Sequence, residues 1–485
     1  MKKMRNSLNL NPDSVFYYFE QLAKIPHGSG NTKAVSDYCV NFAKEHNLEC
    51  HQDAVNNVII IKEATKGYEN SDPIIIQGHL DMVCEKEENC NIDFMKDGLD
   101  LYVDGDFLKA RGTTLGGDDG IAVAFGLALL EDEELEHPRL EMIFTIDEET
   151  GMDGVQAIDL SPIKGHKMLN IDSDEEGVFL TSCAGGCEVN ISLPVDRVKT
   201  KGTALKITVN GLQGGHSGAE IHKERGNANK LLARVMKRLL DDVDYALYEL
   251  EGGLKHNAIT RMATCSVIVD DKDVDLVKKL VAEVESDLKK EYSTTDKDVF
   301  VSVENLGGKE LDVIDRTSLT KIVFLLREMP YGVQAMSADI EGLVETSLNL
   351  GISKLEKDAY ECEISVRSSV ASRKAETVER VIFLGEFIGA KAEATGSYPA
   401  WEYKKDSTVR TDIANLYKEL FNEEPVVTAI HAGLECGYFD QMIPGLDAVS
   451  FGPKNLDIHT PQERLSISST EKYYKLLKEF LKRAK

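Results

Sequence analysis

The sequence predicts an α/β protein with a mixed, mostly parallel sheet that is covered by helices and interrupted by an inserted α+β domain. Strand-length apolar runs alternate with amphipathic helical segments through about residue 181, as in covered parallel sheets. From residue 185 to residue 397 the pattern becomes a weak internal repeat, and α/β character returns from residue 398. A chain of 485 residues also exceeds one ordinary domain. We therefore expect residues 1–184 and 398–485 to form one domain, and residues 185–397 to form an insertion.

The first domain is predicted to begin with a helix at Asn11-Pro12-Asp13, because apolar residues then recur on one helical face. Its strands follow from short apolar runs between turn signals, and Asp104-Gly105 marks a hairpin. The predicted helices of this part cover residues 13–24, 31–46 and 121–130, and the main strands cover residues 48–54, 57–62, 73–76, 140–146 and 168–171.

The insertion is predicted to contain two halves, each with the β-α-β-β-α-β order of a ferredoxin-like fold. Ala184-Gly185-Gly186 is interpreted as the linker before it. The first half is assigned strands at 204–209 and 258–269 with helices at 227–240 and 274–290; the second half is assigned strands at 299–303 and 344–366 with helices at 318–327 and 374–388. The C-terminal part then has helices at 408–420 and 469–482 and strands at 426–430 and 448–451.

Composition excludes several classes of partner. The formal net charge of −27 argues against nucleic acid and anionic membranes, and it is compatible with cation binding, although a solvated acidic surface is the simpler explanation. Nine scattered cysteines indicate a reduced, cytoplasmic protein rather than a disulfide framework. The N-terminus lacks the apolar core of a signal peptide, and no apolar run has the length of a membrane span.

Acids and a histidine follow three of the predicted buried strands. His79 and Asp81 follow the strand at 73–76, an Asp-Glu-Glu run at 147–149 follows the next, and Asp172 follows the third. Each signal is weak alone, since a His-x-Asp pair or a short acidic turn commonly has no ligand. Because ligands of open α/β sheets bind at the carboxyl ends of the strands, the combination predicts a metal site there.

The predicted ligand set has five side chains, three of which follow the strands just described. Of the other two, Asp118 lies in a Gly-Gly-Asp-Asp turn before a helix, and His459 begins a His-Thr-Pro motif near the end of the sequence. The set is His79, Asp118, Glu149, Asp172 and His459. Imidazoles and carboxylates together suit two Zn²⁺, Mn²⁺ or Co²⁺ ions. One carboxylate can bridge the ions, and a water held between them can act as nucleophile. Glu148 is then the natural general base, and Asp81 can orient the His79 ring.

The order of these motifs resembles the M20 family of di-zinc peptidases. Segments 78–83, 145–151, 431–437 and 457–464 are similar to its aminoacyl-histidine dipeptidase branch. The resemblance implies that Asp118 bridges the metals, that His79 and Asp172 bind one ion, and that Glu149 and His459 bind the other. It also implies a cis peptide bond after Asp118. Some relatives have Gly-Ala-Asp-Asn where this chain has Gly-Gly-Asp-Asp, a change that leaves the ligand itself intact.

The resemblance also assigns the insertion as a lid that carries substrate groups. His216, in Gly-Gly-His-Ser-Gly at 214–218, would polarise the scissile carbonyl, and Arg367 would bind the substrate carboxylate. An exposed turn histidine and a surface arginine are the simpler alternatives. Asn257 would support the oxyanion or the carboxylate, and His431 and Glu435 would line the far end of the substrate. Since the lid looks duplicated, we hypothesise that His216 completes the site of its own chain.

The leading prediction is therefore a metallodipeptidase for short unblocked peptides, including Xaa-His dipeptides such as carnosine. Its partners would be small peptides, and the resemblance leaves a homodimer open. An aminoacylase or N-deacetylase of the same fold is the nearest alternative, which the long lid disfavours. A catalytically silent, metal-dependent peptide binder is the alternative from another class, and it predicts the loss of Glu148 or of a ligand. All of these residues are present.

Overall fold

The computed structural model describes residues 5–485, so the N-terminal segment in which we expect no signal peptide lies partly outside the described residues. The helices are α1 Asp13–Ala23, α2 Lys33–Glu45, α3 Gly117–Glu131, α4 Asp153–Ala157, α5 Ala228–Asp242, α6 Val274–Glu291, α7 Arg316–Glu328, α8 Ala371–Phe387, α9 Thr408–Phe421, α10 Cys436–Met442 and α11 Ile467–Arg483. The first twelve strands are β1 Glu49–Gln52, β2 Val58–Lys62, β3 Ile74–His79, β4 Leu101–Asp104, β5 Phe107–Ala110, β6 Leu140–Thr145, β7 Lys167–Asn170, β8 Val178–Cys183, β9 Gly185–Pro194, β10 Arg197–Asn210, β11 Gly215–His216 and β12 Tyr245–Gly252. The remaining strands are β13 Ala258–Ile259, β14 Ala263–Val269, β15 Phe300–Ile314, β16 Gly332–Met336, β17 Val344–Leu355, β18 Ala359–Ser368, β19 Lys391–Tyr398, β20 Val426–Ile430, β21 Asp447–Ser450, β22 Asn455–Leu456 and β23 Arg464–Ser466.

The chain divides into two compact units. The first comprises the described residues up to Ser182 together with Tyr403–Ala429 and Leu434–Lys485; the second comprises Cys183–Glu402 and Ile430–Gly433. Each unit has its own large cluster of buried apolar side chains. The described residues contain no helix that is both long and apolar enough to cross a membrane.

The first unit is built on an eight-stranded sheet in the order β1-β2-β6-β3-β7-β21-β8-β20. Its centre is parallel, since β3 pairs in parallel with both β6 and β7, and β7 pairs in parallel with β21. Every residue of β3 and β6 is buried, as expected for parallel strands that are covered on both faces. The prediction of a mixed, helix-covered sheet is confirmed, but the parallel pairing is confined to the central strands, because β1 with β2, β2 with β6 and β21 with β8 pair antiparallel.

Helix α3 is buried on all sides, which explains its almost uniformly apolar sequence. It packs against α1 and the sheet, and the Phe125 ring stacks on Tyr474 of α11 with ring centroids 5.9 Å apart. Its first residues belong to the Gly-Gly-Asp-Asp turn, so the helix holds this turn against the end of β3.

The second unit contains the two predicted ferredoxin-like halves, but the halves are nested rather than consecutive. Its main sheet has the order β15-β10-β14-β12-β17-β18-β9-β19. The half formed by β10, β12, β14 and β15 lies within the sequence of the other half, whose strands are β9, β17, β18 and β19. In each half, the fourth strand in sequence pairs with the first strand, and the third strand lies between the first and the second.

Two details of the predicted repeat are therefore wrong. Segment 299–303 belongs to β15, the last strand of the inner half, where it pairs with β10 over a long antiparallel ladder. The first strand of the outer half is β9, which begins inside the Gly-Gly segment predicted as a linker and pairs with β18 and β19. Strand β12 was missed altogether, although its alternating burial shows the period of a half-buried strand.

The stacked pair between α3 and α11 leads to a stability prediction. Replacing Phe125, which is 0% exposed, with Ala removes a large buried ring, so we expect the free energy of unfolding to fall by about 3–5 kcal/mol. Phe387→Ala is the matched control, because that ring is 76% exposed. Denaturant unfolding of both variants measures the difference, and equal effects would contradict the packing described here.

Candidate metal centre

Four of the five predicted ligands lie at the carboxyl ends of neighbouring parallel strands or at the helix beside them. His79 is the last residue of β3, and Asp172 follows β7 by two residues. Glu149 lies in a single 3₁₀ turn just after β6, and Asp118 lies at the start of α3. Because β6, β3 and β7 are adjacent and parallel, their ends meet at one edge of the sheet.

Asp118 is shared by two groups of side chains with the spacing of metal ligands. His79, Asp118 and Asp172 offer ligand atoms within 4.8 Å of one another, and so do Asp118, Glu149 and His459. Asp118 Oδ1 lies 3.1 Å from His79 Nε2, and its Oδ2 lies 3.1 Å from His459 Nε2. His459 Nε2 also lies 2.8 Å from Glu149 Oε1. The two oxygens of one carboxylate therefore face two different ligand groups.

The charges at this edge suit divalent cations. Asp172 Oδ2 is buried and has no hydrogen-bond partner among the described residues. Burial raises the pKa of Asp172 well above its usual value, and Asp119 and Glu148 raise it further. Burial likewise raises the pKa of Glu148 to about 8, with added repulsion from Glu435 and Glu149. Crowded, buried carboxyl groups with two imidazoles form a donor set that fits two divalent ions.

Asp81 connects His79 to the turn that carries Glu148 and Glu149. His79 Nδ1 lies 2.9 Å from the Asp81 backbone oxygen and 3.3 Å from its Oδ1, so Nε2 faces the ligand group. The Asp81 carboxylate also accepts the backbone N–H groups of Glu148 at 3.1 Å and Glu149 at 3.4 Å, and the Ser29 hydroxyl at 2.7 Å. Asp81 is thus placed to orient an imidazole and two acids together.

Glu463 holds the loop that leads to Asp118. Its carboxylate accepts the backbone N–H groups of four consecutive residues, at distances from 2.6 to 3.3 Å, and the Asn455 side chain at 3.0 Å; the four are Leu115, Gly116, Gly117 and Asp118. The Asp118–Asp119 peptide bond is cis, as the resemblance implies. Asp119 accepts the backbone N–H of His79 at 3.2 Å, so this turn also contacts the end of β3.

In the second unit, the hydrogen bonds of His216 determine which ring nitrogen carries the proton. Nδ1 accepts the backbone N–H groups of Gly218 and Ala219 at 3.1 and 3.0 Å. Burial lowers the pKa of His216, and the nearby positive charge of Arg367 lowers it further. The ring is therefore neutral with its proton on Nε2, which makes it a hydrogen-bond donor. Asn257, which is half-buried, accepts the Ser217 N–H through its backbone oxygen at 2.9 Å.

Arg367 and His431 each have a buried side-chain nitrogen without a hydrogen-bond partner among the described residues. Arg367 donates to the Tyr398 hydroxyl at 2.8 Å, but its Nε has no partner among residues 5–485. His431 Nε2 lies 2.7 Å from the Ser347 hydroxyl, and Nδ1 likewise has no partner. His431 therefore uses one ring nitrogen within the protein and leaves the other, Nδ1, buried and unpartnered.

These side chains lie close together around one glycine. A Cβ at Gly218 would lie 2.4 Å from the His431 backbone oxygen, 3.0 Å from His216 Cε1 and 3.2 Å from Arg367 Nε. Arg367, His216 and His431 therefore form a cluster, here called the donor cluster, in which the Arg367 charge and its unpaired, buried Nε–H suit an anion.

Comparisons with known proteins agree with this geometry. The model for peptidase family M20/M25/M40 matches residues 75–483. The chain belongs to the M20 peptidase family. It is 38% identical to the cytosol non-specific dipeptidase of Escherichia coli K12, over 98% of each chain. The crystal structure of an aminoacylhistidine dipeptidase from Vibrio alginolyticus is similar with a TM-score of 0.91 and 34% identity, over 98% of this chain and 97% of that one. An aminopeptidase PepT from Bacillus cereus shares the fold, with a TM-score of 0.57 and 14% identity over 98% of this chain and 99% of that one.

This M20 peptidase is therefore an enzyme of a metallopeptidase family, and its structure sorts the predicted residues into groups. The five ligand candidates, Glu148 and Asp81 lie together in the first unit. The first unit also contains Glu435, but that residue is 0% exposed and bonded to Gln77 and Thr145, so it does not line a substrate surface as predicted. Ser29 and Ser347 were missed, because their partners are distant in sequence.

The burial of His431 leads to a pH prediction. Burial, with the positive charge of Arg367 and the nearby rings of His216 and His222, lowers its pKa to about 3. A histidine whose pKa falls on folding stabilises the native state above its unfolded value, about 6.5, and this stability is lost as the pH falls toward 3. Between pH 6 and 4 we expect the unfolding free energy of the wild type to fall by about 1.4 kcal/mol per pH unit more than that of His431→Asn.

Denaturant unfolding at several pH values measures both slopes. His51→Asn, at an exposed position, is the control substitution. Parallel slopes for the wild type and His431→Asn would show that the imidazole is not held neutral.

Proposed function

We propose that this chain is a dinuclear metallodipeptidase that hydrolyses Xaa-His dipeptides such as carnosine and other short peptides with a free C-terminal carboxylate. The observation that carries the proposal is the sharing of Asp118 between two ligand groups, with Glu148 beside Glu149. The names of the relatives from E. coli and V. alginolyticus support the dipeptide substrate. The name of the E. coli relative also supports a cytoplasmic location.

Two divalent ions are proposed as the cofactors, with Zn²⁺ preferred and Co²⁺ or Mn²⁺ as substitutes. His79 and Asp172 would hold one ion, Glu149 and His459 the other, and Asp118 would contact both. When bound, such ions lower the pKa of a coordinated water and polarise a carbonyl oxygen. Glu148 would remove the proton from the attacking water and deliver it to the leaving amine.

The second unit is proposed to hold the substrate. Residues 185–397 would act as the lid and residues 1–184 with 398–485 as the catalytic domain, and the division into two compact units supports this assignment. Arg367 would bind the C-terminal carboxylate through its unpaired Nε–H, and His431 would donate from Nδ1 in the tautomer that carries the proton there. His216 would donate its Nε2 proton to the oxyanion of the reacting carbonyl, and Asn257 would support it. These donors make a free carboxylate part of the recognition.

An aminoacylase or N-deacetylase is the rival in the same family, and it would prefer N-acyl amino acids without a free amine. A silent peptide binder would bind dipeptides without turnover. Assays of both substrate classes on one preparation separate the three proposals.

Metal removal tests the proposal directly. We expect that dialysis against a chelator abolishes hydrolysis of β-Ala-His and other dipeptides, because the carboxylate cluster alone supplies no nucleophile of lowered pKa. Adding back Zn²⁺, Co²⁺ or Mn²⁺ should restore it. Equal activity of the metal-free protein, or no dipeptide hydrolysis with any of the ions, would contradict the proposal.

Replacing the proposed base gives a residue-level test. In Glu148→Gln the side chain keeps its shape but cannot accept a proton, so we expect kcat to fall by about 10²–10⁴-fold. Two metal ions per chain should remain bound. Glu134→Gln, at an exposed acid of the same unit, should retain activity. A Glu148→Gln enzyme with near wild-type kcat would exclude Glu148 as the base.

A further inference from the structure

Glu435 is a buried carboxyl group without a Lys or Arg partner among the described residues, and it contacts two of the strands that carry ligand candidates close to their carboxyl ends. Glu435 immediately precedes α10 and is 0% exposed. One of its oxygens, Oε2, accepts both the Gln77 side-chain amide and the Thr145 hydroxyl, each at 2.6 Å. Gln77 is on β3, two residues before His79, and Thr145 ends β6, three residues before Glu148. Glu435 therefore links two strands that deliver metal-site residues.

The same network reaches the third ligand-bearing strand. Asn170, the last residue of β7, donates its side-chain amide to the Gln77 side-chain oxygen. In the sheet, Gln77 is paired with Asn170, and His79 is paired with Thr145. All three polar side chains are at most 1% exposed. One carboxyl group thus closes a hydrogen-bonded network across the ends of β6, β3 and β7.

A general role in stabilising the fold is the simpler explanation, and a second buried acid shows what such a role looks like. Glu141 lies on β6 toward the opposite end of the sheet and is also 0% exposed. It is paired with Arg139 at 2.7 Å, and its oxygens accept the backbone N–H groups of Lys164 and Gly165. The charge of Glu141 is therefore compensated by the protein itself.

Glu435 lacks this compensation. Among the described residues it has no Lys or Arg partner, and its second oxygen, Oε1, has no hydrogen-bond partner at all. Burial raises the pKa of Glu435 to about 7. Burying an unpaired carboxyl group is costly, and no ion pair offsets that cost here. What Glu435 supplies is therefore the acceptor atom Oε2, which joins Gln77 of β3 to Thr145 of β6.

We propose that Glu435 is a positioning residue for the dinuclear metal centre, which holds the ends of β3, β6 and β7 at the spacing that the ligands require. This inference rests on the metal centre assigned under the proposed function. Glu435 belongs to none of the ligand groups, and it would act through Gln77 and Thr145. Residues that orient metal ligands from behind commonly change metal affinity by about 10–100-fold when they are lost.

The test is the affinity of the metal-free protein for Zn²⁺, measured by competition with a chromophoric chelator and without substrate. We expect Glu435→Ala to bind Zn²⁺ about 10–100-fold more weakly than the wild type. Glu435→Gln should restore affinity to within a few-fold, because its amide oxygen can accept both hydrogen bonds. Glu141→Gln is the matched control and should lower the unfolding midpoint without changing Zn²⁺ affinity. Wild-type affinity in Glu435→Ala, or equal losses in Glu435→Ala and Glu435→Gln, would overturn the proposal.

A milder variant covers the case in which Glu435→Ala does not fold. Thr145→Val keeps the shape of the side chain and removes one of the two hydrogen bonds, so Zn²⁺ affinity should fall, by less than in Glu435→Ala. An unchanged affinity in Thr145→Val would overturn the proposal. The affinity measurement uses no substrate, so it is independent of catalytic activity. A wild type that binds two ions but cleaves no dipeptide would contradict the proposed function, while the expected Zn²⁺ affinities of the variants would still stand. A wild type that binds no ion would overturn both.

Discussion

The burial of several carboxyl groups at one sheet edge, where they also repel one another, is the constraint on which the first unit depends. Parallel strands β6, β3 and β7 end side by side, so the acids that follow them lie close together and are largely buried. Asp118 belongs to both ligand groups that these acids form. The raised pKa values of Asp172 and Glu148 express the free-energy cost of this arrangement. Bound cations would neutralise the negative charge of these acids and so offset the cost, in keeping with the membership of this chain in a metallopeptidase family.

Other acids in the first unit hold the site in place without being ligand candidates. Asp81 joins His79 to the turn of Glu148, and Glu463 holds four backbone N–H groups of the loop before Asp118. Glu435 lies under the strand ends. Each of these acids contacts a different segment, so the positions of the ligand candidates depend on several separate parts of the chain. Such support is what a metal site needs to keep its geometry.

The second unit shows the opposite electrostatic character. Its donor cluster combines an arginine with two histidines of lowered pKa, and Arg367 Nε and His431 Nδ1 are buried without a partner among the described residues. Gly218 allows this close approach, because any side chain there would collide with the backbone oxygen of His431. A negatively charged group is the natural occupant of such a cluster.

Local pattern in the sequence was sufficient for the central strands of the first unit and for the acids at their ends, and the order of the motifs was sufficient for the family. His79, Asp118, Glu149, Asp172 and His459 could be selected because each follows an apolar strand, precedes a buried helix or lies in a family motif. The nesting of the two ferredoxin-like halves could not be selected in this way, because β9 and β15 are assigned by which strands they pair with over long sequence separations. The same reason applies to Glu435 and Ser347. Their roles depend on hydrogen-bond partners 358 and 84 residues away, and only the tertiary structure brings these atoms together.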